Sequence, residues 1–513
     1  MSEEPRARRR SRSARSRGHA TAAAGAPASP HIKRAISYYE MAPEETLVRL
    51  EAQADWLIKE IGLEFREDEE ALRLWREAGA DVQGTRVRAD PELVRNLCKT
   101  APSEFTQVAR NPSRTVRIGG ENQVFAPVYG SPFVRDLEGG RRYGTIEDFE
   151  KLVKLTYLSP SLHHSGFVTC EPCDVPVSKR HLDMLYAHMR YSDKPHLGAI
   201  TEMSRAKDSV DMARILHGEE VFNNNCVIMG NVNTNSPLLV DKVVTEAIRT
   251  YCGAGQGIVV APFILAGAMG PVTTAGSIAQ ALAEAMMCCA FSQIVRPGAP
   301  FILGNFLSSM SLKSGAPTFG MPEPVISNLI IGQLARRLGL PLRCGGSLTA
   351  SKVADAQAAA ESADSMFSTA LAGAHFVLHA AGWLEGGLCT GLEKLIIDAD
   401  RLGSYQLVLN GLDTGEDALA KSAYSEVEPA GHFLGCSHTM QHYETAFYEA
   451  KLSDSENVES WEERGSKDAE RRAYDRWNQM LASYEAPPID PGVDEALQAF
   501  VAKRKAELPD AWY

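Results

Sequence analysis

Short apolar runs of strand length alternate with longer amphipathic segments along the middle of the chain, between residues 123 and 401. Apolar positions with helical spacing predict helices, whereas short continuous apolar runs predict strands that are buried on both faces. The predicted strands are 124–129, 162–169, 196–201, 226–231, 257–263, 300–306, 341–345 and 375–379. Each is followed by a predicted helix, in the order 145–158, 178–190, 204–217, 237–252, 275–294, 322–338, 353–371 and 391–401.

This alternation predicts an α/β fold with a parallel sheet, because each parallel connection needs a crossover of about a dozen residues. Eight strand and helix pairs over about 280 residues favour a closed (β/α)8 TIM barrel. An open sheet of seven or eight strands is the alternative, for which we would expect a Gly-rich phosphate loop after the first strand. The sequence shows no such loop there.

The flanking segments have a different pattern. Residues 1–30 are mainly Arg, Ser, Ala, Gly and Pro, with little to bury, which is typical of a disordered tail. Residues 31–122 show helical periodicity and predict a helical N-terminal region, while residues 123–410 form the expected barrel. Residues 411–513 are charged and helix-prone, and predict a C-terminal helical extension that covers the barrel or contributes to a homo-oligomer.

Composition narrows the class of protein further. A chain of 513 residues with 44% hydrophobic and 23% charged residues is ordinary for a protein with a sizeable core. The formal net charge of -12 argues against general nucleic-acid binding. We expect no membrane contact, since no apolar run approaches the length of a membrane span, and the ten cysteines lack the pattern of a disulfide framework. Both features indicate the reducing cytoplasm.

The stretch from Gly373 to Lys394 is where we expect the site. A buried apolar strand is followed by a loop that carries His379, Trp383 and Glu385 and a Gly-Gly pair that permits close approach. In a barrel, the residues that follow each strand converge at one mouth. The other predicted strands bring aromatic and amide side chains to the same mouth: Tyr129, Asn231, Asn233, Phe263, Asn305 and Phe306.

This set of side chains argues against several common chemistries. The sequence contains no GxSxG elbow for a nucleophilic hydrolase, and acidic residues after strands are also common at helix starts. The CxxC at 170–173 has no second pair at ligand spacing, so no zinc site is expected from it. His432, His438 and His442 lie close together, but their helix-patterned surroundings favour a packing or surface role over metal ligation. We therefore expect no metal.

Amides and aromatic rings do suit a cation that does not exchange protons. A quaternary ammonium is held by aromatic faces with about 0.5–2 kcal/mol per contact when water is excluded. Each aromatic residue alone is typical of core packing, and only their predicted convergence favours a cation pocket.

Three long motifs stand out in the second half of the chain: SGAPTFGMPE at 314–323, GGSLTASK at 345–352 continuing to DAQA at 355–358, and HAAGWLEGG at 379–387. These motifs resemble those of the trimethylamine methyltransferase superfamily. The Arg-rich opening and the GHFLG segment at 431–435 are similar as well, so the resemblance covers nearly the whole chain.

The resemblance implies a barrel enzyme that moves a methyl group from a methylated amine to the cobalt of a corrinoid (cobalamin) carried by a separate corrinoid protein. No tightly bound cofactor of its own is expected. The founding members carry pyrrolysine, whereas this sequence has only standard residues. It therefore resembles the betaine branch of the superfamily, whose substrates are quaternary amines such as glycine betaine.

Two residues, His379 and Glu385, are expected to fix polar parts of the substrate or to orient the pocket. The expected substrate-binding residues are Trp383, Tyr129, Phe263, Phe306, Asn231, Asn233 and Asn305. Alternatives are a trimethylamine:corrinoid methyltransferase, a non-catalytic betaine-binding protein, and a barrel hydrolase or lyase that requires a metal.

Overall fold

The computed structural model describes residues 30–512, so the predicted tail at 1–30 lies almost wholly outside the described residues. Seven parallel strands form the centre of this part of the chain, and they pair side by side in the order β2-β3-β4-β5-β6-β7-β1. They are β1 (Asn122–Phe125), β2 (His196–Leu197), β3 (Ile228–Val232), β4 (Gly257–Val260), β5 (Phe301–Gly304), β6 (Leu342–Gly345) and β7 (Phe376–Leu378). The expected parallel α/β architecture is therefore present.

Eight long helices alternate with the strands of this sheet. All eight lie where the sequence predicted them, and most of their ends differ from the predicted ends by only a few residues. They are α1 (Ile146–Leu158), α2 (Arg180–Tyr191), α3 (Met203–His217), α4 (Lys242–Gly253), α5 (Thr274–Val295), α6 (Pro322–Leu338), α7 (Ala356–Ala372) and α8 (Leu392–Leu409). Local chemistry explains several of the starts, since α1 begins at a Thr145–Asp148 capping box and Asp355 caps α7. The largest difference is α8, which continues eight residues beyond the predicted end at 401.

Residues 162–169 were predicted as a strand, and this prediction was wrong. The segment is irregular, although its backbone bonds to both edge strands: His163 N–H donates to the Phe125 carbonyl (2.9 Å), and Leu197 N–H donates to the Gly166 carbonyl (2.9 Å). His163 Nδ1 also accepts the Phe125 N–H at 3.0 Å. The His163 side chain thus accepts a hydrogen bond that the backbone of a neighbouring strand would accept in a regular sheet. The hydrophobic pattern of the sequence does not reveal such a side-chain partner.

Lys194 holds the start of this irregular segment against the end of α1. Its Nζ is buried and donates to the carbonyls of Thr156 (2.8 Å), Ser159 (3.0 Å) and Leu162 (2.6 Å). Carbonyls at a helix C-terminus have no partner within the helix, so an ammonium placed there satisfies them and complements the helix dipole.

The helix α5 lies in the core between the sheet and the N-terminal region. It is long and apolar enough to cross a membrane by length and composition, contrary to the expectation from the sequence, but 89% of its most apolar window is buried inside the protein. Trp75 stacks on Phe291 of this helix at 6.2 Å between ring centroids and meets Phe65 edge-on at 5.6 Å. The helix therefore joins the N-terminal region to the main sheet.

The N-terminal region contains strands as well as the expected helices. Its α-helices are Glu44–Trp56, Glu69–Glu77 and Pro91–Cys98. The first of them continues as a π-helical turn at Leu57–Ile61, and a 3-10 turn lies at Pro112–Arg114. One small sheet comprises Leu63–Phe65, Asp81–Gln83, Arg86–Arg88 and Leu239–Val240. Ile32–Lys33, Glu104–Gln107 and Val116–Gly119 extend the main sheet with antiparallel pairing at its β1 edge.

The described part of the C-terminal extension is helical and packs against the outside of α3 and α8. Its helices are Lys421–Glu426, Ser437–His442, Val458–Glu463, Ala469–Ala482 and Pro491–Glu507, with a short 3-10 turn at Phe433–Gly435. Outside this extension, one further short helix, Glu219–Asn224, follows α3. Trp477 Nε1 donates to Glu393 of α8 at 3.0 Å, and Arg504 bonds Asp208 of α3 at 2.7 Å.

Two small sheets stand at the carboxyl ends of the main strands. We call the first the aromatic ribbon: Phe263–Ala266 pairs in parallel with Phe306–Met310, which pairs with Pro317–Thr318. The second contains Phe133–Asp136, Gly140–Tyr143, Trp383–Leu384 and Cys389–Gly391, with the 3-10 turn Glu385–Gly387 between its last two strands. The loops that were expected to build the site are thus themselves structured.

Candidate active site

Five aromatic side chains pack together beyond the carboxyl ends of β4 to β7. We call this set the aromatic cluster, and it consists of Phe263, Phe306, Phe319, His379 and Trp383. Phe306 lies at its centre, with its ring centroid 4.9 Å from that of Phe263, 5.5 Å from His379, 6.0 Å from Trp383 and 6.1 Å from Phe319. The structure therefore brings together four residues that the sequence analysis singled out, namely Phe263, Phe306, His379 and Trp383.

His379 follows β7 directly and has a positive φ of 59°. Such backbone geometry is uncommon for a residue with a Cβ, and it often occurs at functional sites. The ring is buried, and its Nδ1 accepts the Tyr129 N–H at 3.2 Å. Burial, with a further contribution from the charge of Arg343, holds the His379 pKa well below its usual value. The neutral ring therefore carries its proton on Nε2, which makes that atom a hydrogen-bond donor.

Trp383 is fixed from two sides. Its Nε1 donates to the Thr349 carbonyl at 3.1 Å, and the same carbonyl accepts the Gly386 N–H at 3.0 Å. The indole lies directly against Gly387, where a Cβ would come within 2.5 Å of the ring. The Gly-Gly pair therefore allows the loop to pack closely against the indole. The motif at 345–352 fixes the indole through the Thr349 carbonyl.

Arg343 of β6 lies beneath the aromatic cluster. Its guanidinium carbon is 5.0 Å from the centroid of the Phe306 ring, and its Nη1 donates to the Asn305 carbonyl at 3.1 Å. The side chain is 1% exposed, and its Nε has no hydrogen-bond partner. Burial lowers the Arg343 pKa to about 10, so the group remains protonated at neutral pH. Among residues 30–512, this guanidinium donates to a neutral carbonyl and no carboxylate pairs with it, which leaves a buried charge without a counter-ion in that part of the chain.

Tyr129 and Asn231 form a second polar group near the cluster. Burial raises the pKa of the Tyr129 phenol, with a further contribution from the Glu171 carboxylate, while a hydrogen bond from Asn231 opposes the shift. Asn231 is 5% exposed, and its Oδ1 has no hydrogen-bond partner. Glu171 pairs with Arg180 at 3.1 Å. A buried amide oxygen with free acceptor capacity is suited to a ligand that donates a hydrogen bond or carries positive charge.

The other two asparagines of the sequence prediction are placed differently. Asn233 is exposed. Asn305 is buried, and its amide turns towards α6, where it donates to Asn328 Oδ1 (2.9 Å) and accepts from Ser327 Oγ (3.1 Å). The side chains of these two residues do not join the aromatic cluster, although the backbone carbonyl of Asn305 contacts Arg343.

The loop after β3 is held by a buried carboxylate from α5. Glu284 accepts hydrogen bonds from Ser236 Oγ (2.6 Å), Leu238 N–H (2.8 Å) and Gln280 Nε2 (2.9 Å). This arrangement fixes the loop after β3 to α5 through Ser236 and Leu238.

Glu385 is engaged by an arginine. Its carboxylate accepts from Arg141 Nε at 2.7 Å and from Nη2 at 3.3 Å, and this guanidinium lies 3.5 Å over the ring of Phe133. The carboxylate is therefore part of a bidentate pair on the second small sheet. The backbone N–H of Glu385 donates to Ser351 at 2.7 Å, which again links the two sequence motifs.

Sequence reasoning missed two residues of this site, Arg343 and Phe319. The signal for Arg343 was a charged residue inside a predicted buried strand, where a paired or functional role is the usual explanation. Phe319 lies within the motif at 314–323, but its position in a Gly- and Pro-containing loop gives no periodicity that would place it on Trp383, 5.5 Å away.

The CxxC pair offers little to a metal ion. Cys170 is fully buried, and burial raises its thiol pKa well above the usual value, with a smaller contribution from Asp148. A metal ligand must be a thiolate, so this environment disfavours ligation.

A parallel α/β sheet with an aromatic cluster and buried polar groups at the carboxyl ends of its strands is the arrangement of an α/β enzyme that binds a small ligand at that end. The family model for trimethylamine methyltransferase (MTTB) matches residues 6–509. The chain belongs to this family and is a methyltransferase, which confirms the resemblance seen in the motifs.

Three relatives found by sequence agree with this assignment. The chain is 38% identical over 471 residues to a glycine betaine methyltransferase from Desulfitobacterium hafniense, covering 92% of this chain and 98% of that protein. It is 26% identical to a trimethylamine methyltransferase MttB of the same species, over 90% and 94% of the two chains. Similarity extends to a proline betaine:corrinoid methyltransferase from Eubacterium limosum at 25% identity, over 84% and 91%. A monomethylamine methyltransferase structure from Methanosarcina barkeri overlays with a TM-score of 0.46 at 11% identity, covering 87% of this chain and 95% of that chain.

Proposed function

We propose that the enzyme takes a methyl group from a betaine, a quaternary amine that also carries a carboxylate, and transfers it to Co(I) of a corrinoid bound to a separate protein. Glycine betaine is the simplest such substrate. The names of two relatives, a glycine betaine methyltransferase and a proline betaine:corrinoid methyltransferase, support this class. The observation that carries the proposal is the unpaired guanidinium of Arg343 next to the aromatic cluster.

Arg343 argues for a negative group on the substrate. A buried charge without a counter-ion is costly, and a guanidinium binds carboxylates through paired N–H donors. Its Nε is free, and the neutral His379 ring, which is stacked on Phe306 above it, presents an Nε2–H donor. We infer that these two residues hold the carboxylate. A free methylammonium would instead place a second positive charge beside Arg343.

The aromatic cluster suits the ammonium end of the same molecule. Trp383, Phe306 and Phe319 present ring faces and edges within 6.1 Å of one another, and Phe263 extends the wall along the ribbon. A desolvated cation gains about 2 kcal/mol from such a face. Asn231, whose Oδ1 is free, adds a dipole of the correct sign at a neighbouring strand end.

The chain's own task is to bind, orient and desolvate the substrate. When bound, the partner's corrinoid supplies the nucleophile that accepts the methyl group. A quaternary ammonium leaves as a neutral tertiary amine, so no residue of this chain has to donate a proton to it. Because the positive charge on nitrogen is lost as the bond breaks, very tight binding of that charge would slow the reaction. Holding the molecule by its carboxylate avoids this, since that charge does not change.

We infer further that the main sheet closes as the (β/α)8 barrel expected from the sequence, with residues 162–169 in the place of the second strand. Support comes from the hydrogen bonds that this segment makes to β1 and to β2. The mouth at the carboxyl ends would then face the corrinoid protein.

The cysteines support a cytoplasmic location. All ten cysteines among the described residues are free thiols, which is typical of proteins in a reducing compartment.

A substrate comparison tests the proposal. Purified enzyme, the reduced corrinoid protein and one methyl donor are mixed without oxygen, and the change from Co(I) to methyl-Co(III) is followed by absorbance. Glycine betaine should give turnover. Choline, which has the same quaternary group but no carboxylate, and trimethylamine should give much less. Equal or better turnover with trimethylamine would overturn the proposal, and binding of glycine betaine without methyl transfer would favour a non-catalytic betaine-binding protein.

A further inference from the structure

A group of three potential metal ligands lies in the C-terminal extension, outside the aromatic cluster. We call it the His-Asp cluster, and it consists of Asp417, His438 and His442. One ligand atom from each lies within 4.8 Å of the other two. From the sequence alone these histidines were expected to have a packing or surface role. The structure gives them neighbours that the sequence could not, because Asp417 lies about twenty positions away in the preceding loop.

The two histidines share one face of the short helix Ser437–His442. Their i, i+4 spacing places the rings side by side, with centroids 4.6 Å apart. Both rings direct Nε2 towards Asp417. His438 Nε2 donates a hydrogen bond to the Asp417 carbonyl oxygen at 2.9 Å and lies 4.0 Å from Oδ1, so a metal ion would replace this hydrogen bond. Two imidazoles at this spacing are a recurrent half of a metal site.

The approach of His442 to Asp417 does not resemble an ordinary hydrogen bond. His442 Nε2 is 2.9 Å from Asp417 Oδ2, yet it is shielded from solvent and is not aligned to bond any acceptor. Groups that bind each other point at each other, whereas metal ligands point at a common centre between them. The misaligned but close pair fits the second case.

We propose that Asp417, His438 and His442 bind one divalent transition-metal ion, with Zn²⁺ as the best match. Imidazole nitrogen and carboxylate oxygen bind zinc at about 2.0–2.2 Å, and a fourth position would be taken by water. Small movements would bring the three ligand atoms to such distances from one ion, with the pair at 2.9 Å opening and the pair at 4.0 Å closing, because all three side chains are partly exposed.

The ion would act as a structural clip. The helix Ser437–His442 has six residues, which is far too short to be stable without tertiary support. Its neighbourhood also exposes large apolar side chains, among them Leu412 (89%), Leu434 (79%) and Phe447 (89%). Fastening the loop at Asp417 to this helix would fix the shape of that surface.

Calorimetry on the full chain tests the site directly. Protein without a histidine tag is treated with EDTA, exchanged into metal-free buffer and titrated with ZnCl₂. We expect one site per chain with micromolar or tighter affinity. His442→Ala and His438→Ala should weaken it by more than the roughly 10- to 100-fold that loss of an outer-shell partner costs. His432→Ala, an exposed histidine of the same segment outside the cluster, is the matched control and should bind like wild type.

A second measurement needs no variant and so does not depend on the short helix tolerating substitution. Co²⁺ added to the metal-free wild type should give the visible d–d bands of a four-coordinate site, and Zn²⁺ should displace them. Absence of micromolar binding in wild type would overturn the proposal. So would unchanged affinity in both cluster variants, or an equal loss in the His432→Ala control, since each would place the metal elsewhere.

Discussion

Arg343 occupies a position in β6 where an apolar side chain would pack at no electrostatic cost. Its guanidinium instead lies under Phe306 with one free N–H, and the aromatic cluster closes the space above it. At the scale of single residues, the proposed selectivity therefore has two parts: a fixed positive charge for the carboxylate and ring faces for the ammonium.

Replacing Arg343 should separate these two parts. In Arg343→Met we expect KM for glycine betaine to rise by about 10- to 150-fold, because the hydrogen bond from Nε to the carboxylate is lost and such a bond to a charged group contributes about 1.5–3 kcal/mol. Tetramethylammonium, which has no carboxylate, should bind the variant better than wild type, since charge repulsion is removed. Steady-state methyl transfer and competitive inhibition by tetramethylammonium measure the two effects. A similar loss for both molecules would indicate a purely structural role.

Trp383 tests the aromatic half. Trp383→Leu removes the ring face, whereas Trp383→Phe keeps a face and loses only the hydrogen bond to Thr349. We expect the Leu variant to have a kcat/KM at least about tenfold below that of the Phe variant, since a desolvated cation–π contact is worth about 2 kcal/mol. Circular dichroism of both variants controls for folding. Equal activity of the two would contradict a cation pocket at this ring.

At the scale of elements, the irregular segment at 162–169 depends on groups that lie outside it. Lys194 is the clearest case, because one ammonium serves three carbonyls at the end of α1. A methionine of similar shape cannot donate. Lys194→Met should therefore lower the free energy of unfolding by about 2–5 kcal/mol, through the buried acceptors that lose their partner.

The matched control for this prediction is Lys151→Met, which changes a partly exposed lysine within α1, the helix whose C-terminal carbonyls Lys194 binds. Lys151 forms only a surface ion pair with Glu147, so its loss should cost less than about 0.5 kcal/mol. Urea denaturation of both variants measures the difference. If the two variants were equally stable, the three carbonyls would have found other partners.

The sequence could predict most of the elements, and the reasons for its failures are physical. Helical periodicity identifies α1 to α8, and short continuous apolar runs identify β1 to β7, because most of the helices are buried on one side and the strands on both faces. This pattern fails at 162–169, where His163 and Lys194 satisfy the backbone in place of a strand partner. It also placed Asn305 at the mouth, and the structure directs its amide to α6 instead. Position along a strand is readable from sequence, but the direction of a single amide is not.

The candidate site shows the same division. Convergence of Phe263, Phe306, His379 and Trp383 followed from the expected parallel strands, since all of them lie at carboxyl ends. Phe319 and Arg343 could not be placed by that argument, because one arrives from an irregular loop and the other comes from inside a strand. Packing in three dimensions decides both.

At the scale of the whole molecule, several buried histidines couple folding to pH. Burial lowers the pKa of His163 and His188 to about 3 and that of His196 and His375 to about 4. In the unfolded chain each would titrate near 6.5. Below about pH 6.5, these histidines therefore bind protons in the unfolded state but remain neutral in the folded state. Stability is highest above that pH and declines as the pH falls towards the folded-state pKa values.

Between pH 7.5 and 5.5 each of these histidines should remove about 1.4 kcal/mol from the free energy of unfolding, or about 5 kcal/mol for the four together. Urea denaturation at several pH values measures the slope. A free energy of unfolding that is the same at both pH values would show that these rings are protonated in the folded protein.

The aromatic ribbon has a consequence for how such enzymes diverge. Phe263 and Phe306 stand on two short strands that project beyond the main sheet, whereas Arg343 and the start of the His379 loop belong to the sheet itself. In the proposed site, the distance between the ribbon rings and Arg343 could thus change through substitutions in the ribbon alone, without disturbing the main sheet. A lineage could then adapt to molecules with a longer or shorter spacer between nitrogen and carboxylate by altering a handful of peripheral positions.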